Sequence, residues 1–161
     1  MFARFSKFVA VAAIAASVAA CSDEDANVNT GLSSDANAGS LSPDSLAYFN
    51  QEIGDRVLFG YDEYTLSAEA QDRLTKQAAW LKQYAAGKTV TIEGHCDERG
   101  TREYNIGLGA RRAASVRNFL ISQGVPAASI KAVSFGKERP AVEGSDDASW
   151  AQNRRGVTVV N

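Results

Sequence analysis

The 161-residue chain is short of the side chains that catalysis and metal binding most often use. It has one histidine, His95, and two cysteines, Cys21 and Cys96. That inventory falls short of a zinc ligand set, so no metal is expected. No Gly-x-Ser-x-Gly occurs, and Gly107-x-Gly109 lacks the third glycine and the preceding strand of a dinucleotide site. His95 and Cys96 are adjacent at a strand end, so their side chains face opposite ways and make a poor nucleophilic dyad. The chain is therefore not expected to be an enzyme. A basic excess is missing too: the formal net charge is −2, which speaks against sequence-independent nucleic-acid binding. There is no internal repeat.

A membrane-spanning run is also lacking. Phe8 to Ala20 is apolar and alanine-rich but too short to cross a bilayer comfortably. It follows Arg4 and Lys7 and ends at Val18-Ala19-Ala20-Cys21, so residues 1–20 read as a signal peptide with a lipoprotein cleavage site. Cys21 would then carry the lipid, multiply acylated because one chain binds a membrane only marginally. Cleavage removes two basic residues and no acid, taking the charge to −4. Acylation of Cys21 leaves Cys96 without an intramolecular partner, so no disulfide framework is expected despite an oxidising compartment. No cofactor beyond that covalent lipid is implied.

Residues 21–41 combine the acylated cysteine with a Ser-, Asp-, Asn-, Ala- and Gly-rich tract that reads as a disordered tether. About twenty such residues span roughly 25 Å on average and up to about 65 Å when pulled. Residues 42–161 form the domain. Ser42-Pro43-Asp44 has the pattern of a helix start, leading to Leu46, Tyr48 and Phe49. Val57 to Phe59 reads as a strand. Ser67 caps a helix to about Ala86, with Ala70, Leu74, Ala78, Leu81 and Ala85 as its inner stripe and Gly87 as its stop. Thr89 to Glu93 alternates as a strand, and a second long helix runs from about Asn105 to Gly124. Ala132 to Phe135 and Gly156 to Val160 complete the strands, with a small helix near Ser145 to Gln152. The order β-α-β-α-β-β implies an α+β fold of two layers, helices on one face of a mixed four-stranded sheet.

One charge stands out in that second helix. At roughly 100° per residue, Leu108, Ala113, Val116, Phe119 and Leu120 share a side, and Arg112 falls among them. Arg111 points the opposite way, to solvent. Asp97, fifteen residues before Arg112, closes a strand, where α/β folds tend to place ligands. Gly94 and Gly100 flank the turn and allow close backbone approach. Spacing leaves two readings open: a structural ion pair, or two ligand groups that receive a zwitterion. On the second reading, removing either group should weaken binding about a hundredfold, roughly 2.7 kcal/mol, while the unfolding midpoint moves little.

The run Gly94-His95-x-Asp97-Glu98-Arg99-Gly100-Thr101-x-Glu103-Tyr104-Asn105-Ile106-x-Leu108-Gly109-x-Arg111-Arg112-Ala113 resembles the signature of OmpA-like peptidoglycan-binding domains. Phe59-Gly60-Tyr61-Asp62, Ser134-Phe135-Gly136-Lys137-Glu138-x-Pro140 and Asn153-Arg154-Arg155 are similar to one lipoprotein branch of that family. Cys96 departs from the common alanine or threonine. The resemblance covers about Asp55 to Val160 and implies non-covalent binding of the diaminopimelate residue of peptidoglycan. Asp97 would receive an ammonium and Arg112 a carboxylate. Thr101, Asn105, Leu108, Asn153 and Asp62 would shape the pocket; Arg154 or Arg155 could instead brace the sheet edge. The resemblance also implies a lipid-anchored outer-membrane protein facing the periplasm. Its partners would be the TolB β-propeller and other Tol proteins that act in cell division. The rival reading is a wall-cleaving enzyme using Asp97 and Glu98.

The anchor is testable directly. Cys21→Ser should yield a chain that takes up no labelled fatty acid and no longer fractionates with the outer membrane. Continued labelling would show that the Val-Ala-Ala-Cys junction has been misread.

Overall fold

Ser45, and not Ser42, begins the first helix in the computed structural model, which describes residues 41–161. The Ser45 hydroxyl accepts the Tyr48 N–H, while Ser42 turns its own hydroxyl to Asp44. The helix start expected at Ser42-Pro43-Asp44 is thus corrected by three residues. Helix α1 (Leu46–Tyr48) widens at once into a π-helical stretch, Phe49–Gly54, that side-chain periodicity did not reveal. This segment buries Phe49 against Trp80, with ring centroids 4.7 Å apart. The Trp80 indole N–H donates to the Pro43 carbonyl, so the start of the domain is held by the core. The signal peptide, Cys21 and the tether up to residue 40 lie outside the described residues.

Strand β1 (Arg56–Leu58) leads to helix α2 (Ala68–Tyr84), capped by Ser67 as its spacing predicts. The inner stripe Ala70, Leu74, Ala78, Leu81 and Ala85 is buried. Strand β2 (Val90–His95), helix α3 (Arg102–Ser122) and strand β3 (Ile130–Gly136) follow, then a short helix α4 (Asp147–Asn153) and strand β4 (Arg155–Val160). The sheet order is β1-β4-β2-β3. β2 and β3 are parallel and joined by α3, the crossover that a parallel pair requires. β4 runs antiparallel to both of its neighbours. The α+β class with its mixed four-stranded sheet is as the sequence predicts.

The core lies between the sheet and the two long helices. Leu74, Ile92, Ala113, Val116 and Leu120 are fully buried in it. One polar thread crosses this layer. The Thr158 hydroxyl donates to the Gln77 side-chain oxygen, and the Gln77 amide donates to the Gly54 carbonyl. Every group on that thread has a partner, so its burial is tolerated.

Two glycines set how closely α3 lies on the sheet. A Cβ placed on Gly94 of β2 would sit 1.8 Å from the Gly109 carbonyl oxygen of α3. A Cβ on Gly109 would in turn meet the Ser134 hydroxyl of β3 at 2.4 Å. Backbone thus packs on backbone, and the first half of α3 is drawn onto the carboxyl ends of β2 and β3. Gly94→Ala should destabilise by about 3 kcal/mol or more, because backbone has to move to admit the methyl group. Gly107, on the same helix, has only an arginine nitrogen within 4 Å, at 3.8 Å. Gly107→Ala should stabilise by about 0.5–1 kcal/mol through helix propensity. Urea unfolding of the two variants checks both signs.

Candidate functional site

Helix α3 starts three residues earlier than its apolar spacing suggests, because Thr101 caps it and accepts the Tyr104 N–H. Asn105 therefore lies in the first turn, and it is buried. Its side-chain amide donates to the carbonyls of Arg99 (2.8 Å) and Thr101 (3.1 Å), which locks the turn that leaves β2. Between this turn, the start of α3, the loop after β1 and the residue before β4 lies a cleft of about 170 Å³. That volume suits one residue-sized head group rather than a polymer. Asp62, Asp97, Asn105, Leu108 and Arg112 all line it.

Arg112 is fully buried, as its position in the apolar sector predicts, but it does not pair with Asp97. Its guanidinium donates to three backbone carbonyls: Glu63 at 2.7 Å, His95 at 2.9 Å and Gly60 at 2.9 Å. The reading of Asp97 and Arg112 as a structural ion pair is thus corrected. The loop after β1 turns its carbonyls inward, and those dipoles satisfy the charge. Burial lowers the Arg112 pKa from its ordinary value, with the neighbouring Cys96 and Asp97 opposing the shift. A guanidinium carries five N–H groups; the three carbonyls use three, so Arg112 can still serve the cleft that it lines.

Asp97 is claimed by other arginines. It accepts from Arg99 through the backbone N–H and the side chain, the closest contact being 2.6 Å, and from Arg154 at 3.3 Å. Burial by itself would raise the Asp97 pKa, but bonds from Arg99 and Arg154 hold it below the ordinary carboxylate value. The Arg99 guanidinium is itself stacked between two rings, 4.2 Å from the centre of Tyr61 and 4.0 Å from that of Trp150. The cleft therefore has a carboxylate end, already fitted with cations, and a buried arginine end.

The remaining expected positions divide. Asp62 adopts a left-handed backbone (φ 56°) and accepts the Tyr104 hydroxyl, so the loop after β1 is tied to the first turn of α3. Thr101 is the helix cap and is not among the cleft-lining side chains. Asn153 also lies outside the cleft: its carbonyl oxygen accepts the Ala141 and Val142 N–H groups, and its amide donates to the Val142 carbonyl. Arg154 reaches the cleft, whereas Arg155 is the buried brace, donating to the carbonyls of Asn153 and Arg139. Cys96 lines the cleft, with its thiol toward the Asn105 carbonyl at 3.4 Å. Burial pushes that thiol's pKa up, which leaves it a weak nucleophile at neutral pH. His95 faces the other side of the sheet and stacks on Phe135, and burial lowers its pKa to about 4.

Sequence reasoning missed Arg99, Tyr61 and Tyr104 as cleft-lining residues and Trp150 as a ring that covers Arg99. A local signal existed for Arg99, which sits two residues after Asp97 in one turn. None existed for Tyr61 and Trp150, which are brought together from 89 positions apart in the chain.

With this geometry in view, similarity to known proteins is informative. The OmpA family model matches residues 58–154, and the chain belongs to the OmpA family. Within it, the chain groups with the peptidoglycan-associated lipoproteins. It is 52% identical over 123 residues to the protein of that name from Agrobacterium fabrum, covering 76% of this chain and 69% of the relative. It is 41% identical over 165 residues to the one from Pseudomonas aeruginosa, covering 94% of this chain and 95% of the relative. The crystal structure of the peptidoglycan-associated lipoprotein from Burkholderia pseudomallei superposes with a TM-score of 0.65 at 41% identity. That match covers 70% of this chain and 96% of the solved one. The C-terminal domain of Helicobacter pylori MotB shares the fold, with a TM-score of 0.63 at 18% identity, covering 66% of this chain and 84% of that one. This membership places the chain among proteins that are not enzymes.

The burial of Arg112 reverses one expectation about stability. Arg112→Ala strands three carbonyls and opens a cavity, and should cost about 3–5 kcal/mol. Arg112→Lys should also destabilise, since one ammonium cannot span three separated acceptors. Arg111→Ala, at an exposed position of the same helix, should stay within about 0.5 kcal/mol of the parent. Denaturant midpoints decide, and a near-normal Arg112→Ala would refute the structural role.

Proposed function

We propose that the domain grips peptidoglycan non-covalently by enclosing the diaminopimelate residue of a stem peptide in the cleft. The observation that carries this reading is a residue-sized cleft with a carboxylate at one end and a buried arginine at the other. Diaminopimelate within a stem peptide presents a side-chain ammonium and a carboxylate on one carbon. Asp97 would accept the ammonium, and Arg112 would donate its remaining N–H groups to the carboxylate. Leu108 would pack on the aliphatic chain, and Asn105 would keep the turn in place. Entry of the ammonium exchanges one cation for another at Asp97, since Arg99 and Arg154 already hold it. Asp62 stands at the rim. Thr101 and Asn153 would act indirectly, through the helix cap and the loop at residues 141–142.

On this reading the whole protein is anchored in the outer membrane by a lipid on Cys21, after removal of residues 1–20. Residues 21–41 tether the domain in the periplasm. The names of its relatives, which are lipoproteins associated with peptidoglycan, support this arrangement. The sequence resemblance supports a further role with TolB and the other Tol proteins in outer-membrane integrity and constriction at division. No nucleic-acid role is proposed.

The test uses purified wall sacs and the full chain in detergent. The parent should sediment with sacs, release no soluble fragments and be competed off by diaminopimelate-containing stem peptide. Asp97→Asn, which keeps the side chain's shape, should fold yet bind about a hundredfold more weakly. Fragment release would favour the enzyme reading, and unchanged binding by Asp97→Asn would remove the cleft from the function.

A further inference from the structure

Three tyrosines stand exposed around the mouth of the cleft: Tyr61 at 65%, Tyr64 at 47% and Tyr104 at 48%. A tyrosine ring has an apolar face that gains from being covered, and a cluster of such rings marks a contact surface. These three belong to one patch. Asp62 accepts the Tyr104 hydroxyl, which fastens the loop carrying Tyr61 and Tyr64 to the start of α3. The Arg111 guanidinium lies 5.4 Å from the centre of the Tyr64 ring. Arg111 is seven residues beyond Tyr104 on the helix, so the patch extends about 10 Å along α3 from the cleft mouth. Tyr61 and Tyr104 line the cleft, whereas Tyr64 does not. A demand for burial of the diaminopimelate side chain alone leaves Tyr64 unexplained.

The covalent chemistry of peptidoglycan suggests what covers it. Diaminopimelate is the third residue of a stem whose first residue is attached to an amino sugar of the glycan strand. Two α-linked residues reach about 7 Å when extended, and a second residue joined through its side-chain carboxyl, which leaves its own carboxylate free, adds roughly 3 Å more. A stem held at its third residue must therefore bring that sugar within reach of the rim. We infer that Tyr61, Tyr64 and Tyr104 form a second subsite that receives the glycan strand. The C–H face of a pyranose ring packs on the negative face of a tyrosine ring, and the tyrosine hydroxyl stays in water. Arg111 adds a cation beside this path, where the sugar hydroxyls and the free carboxylate of the second stem residue would pass. The subsite would favour stems still attached to glycan over stems cut free. This inference rests on the proposed occupancy of the cleft by diaminopimelate.

The experiment compares two probes on the full chain in detergent: a free tetrapeptide stem containing diaminopimelate, and the same tetrapeptide carrying its disaccharide. The parent should bind the disaccharide-linked probe about threefold to tenfold more tightly than the free stem. Tyr64→Ala should bring that ratio close to one while leaving affinity for the free stem unchanged, and Tyr64→Phe should keep the ratio. Tyr64 is half exposed, so its removal leaves the core intact, and an unchanged unfolding midpoint verifies this. Equal binding of the two probes by the parent would overturn the glycan subsite and leave the stem-peptide reading standing. A preference that survives Tyr64→Ala would also overturn it. Failure of the parent to bind either probe would instead overturn the reading of the cleft itself.

Discussion

The guanidinium of Arg112 joins the cleft to the core. It is fully buried on α3 and donates to the carbonyls of Gly60, Glu63 and His95. Those carbonyls come from the loop after β1 and from the end of β2, so one side chain clamps three parts of the cleft wall. An unpartnered buried cation would be very costly. Here three hydrogen bonds to a charged donor offset its desolvation, and neutral side chains of similar size have no such fork to offer. Asp62, Asp97 and Leu108 keep their places because this clamp holds the loop, the strand and the helix together.

Charge in the cleft is arranged unequally. Two carboxylates, Asp62 and Asp97, face three guanidinium groups on Arg99, Arg112 and Arg154. The surplus is one cation. Asp97 is not a bare anion awaiting a partner, because Arg99 and Arg154 hold its pKa down against the opposing effect of burial. Selectivity can then come from exchange. A small ammonium group can take up Asp97 only where it replaces contacts that Arg99 already makes, and Arg99 keeps its place between Tyr61 and Trp150.

Close approach of backbone is the second requirement. Gly94 and Gly109 let α3 settle against β2 at a distance no side chain would permit. The same contact turns Asn105, Leu108 and Arg112, each three or four residues apart, toward the strand end that bears Asp97. Packing and site are thus products of one helix placement. His95 and Cys96 show how little room is left over: the first is pressed against Phe135 and the second against the Asn105 carbonyl, and neither is set up for chemistry.

Much of this was legible in the chain. The stripe of α2 and the Ser67 cap follow from local rules whose physical basis is confined to a few neighbouring residues. The helix phase that buries Arg112 and exposes Arg111 follows equally, because a rotation of 100° per residue is set by backbone hydrogen bonding alone. Asp97 lies just beyond the carboxyl end of β2, as the alternating run before it predicts. The partner of each charge was not legible. Asp97 and Arg112 share a cleft but not a bond, since carbonyls from a loop roughly fifty residues away reach Arg112 first. Asn153 and Thr101, which the resemblance put at the pocket, brace a loop and cap a helix. Tyr61 and Trp150 enclose Arg99 only because the loop after β1 and helix α4 converge at the same edge of the sheet. The sequence by itself determined which groups are buried and which face they occupy, because those depend on local periodicity. Only the tertiary structure decided which groups satisfy one another, because that depends on distances between segments that the chain order leaves free.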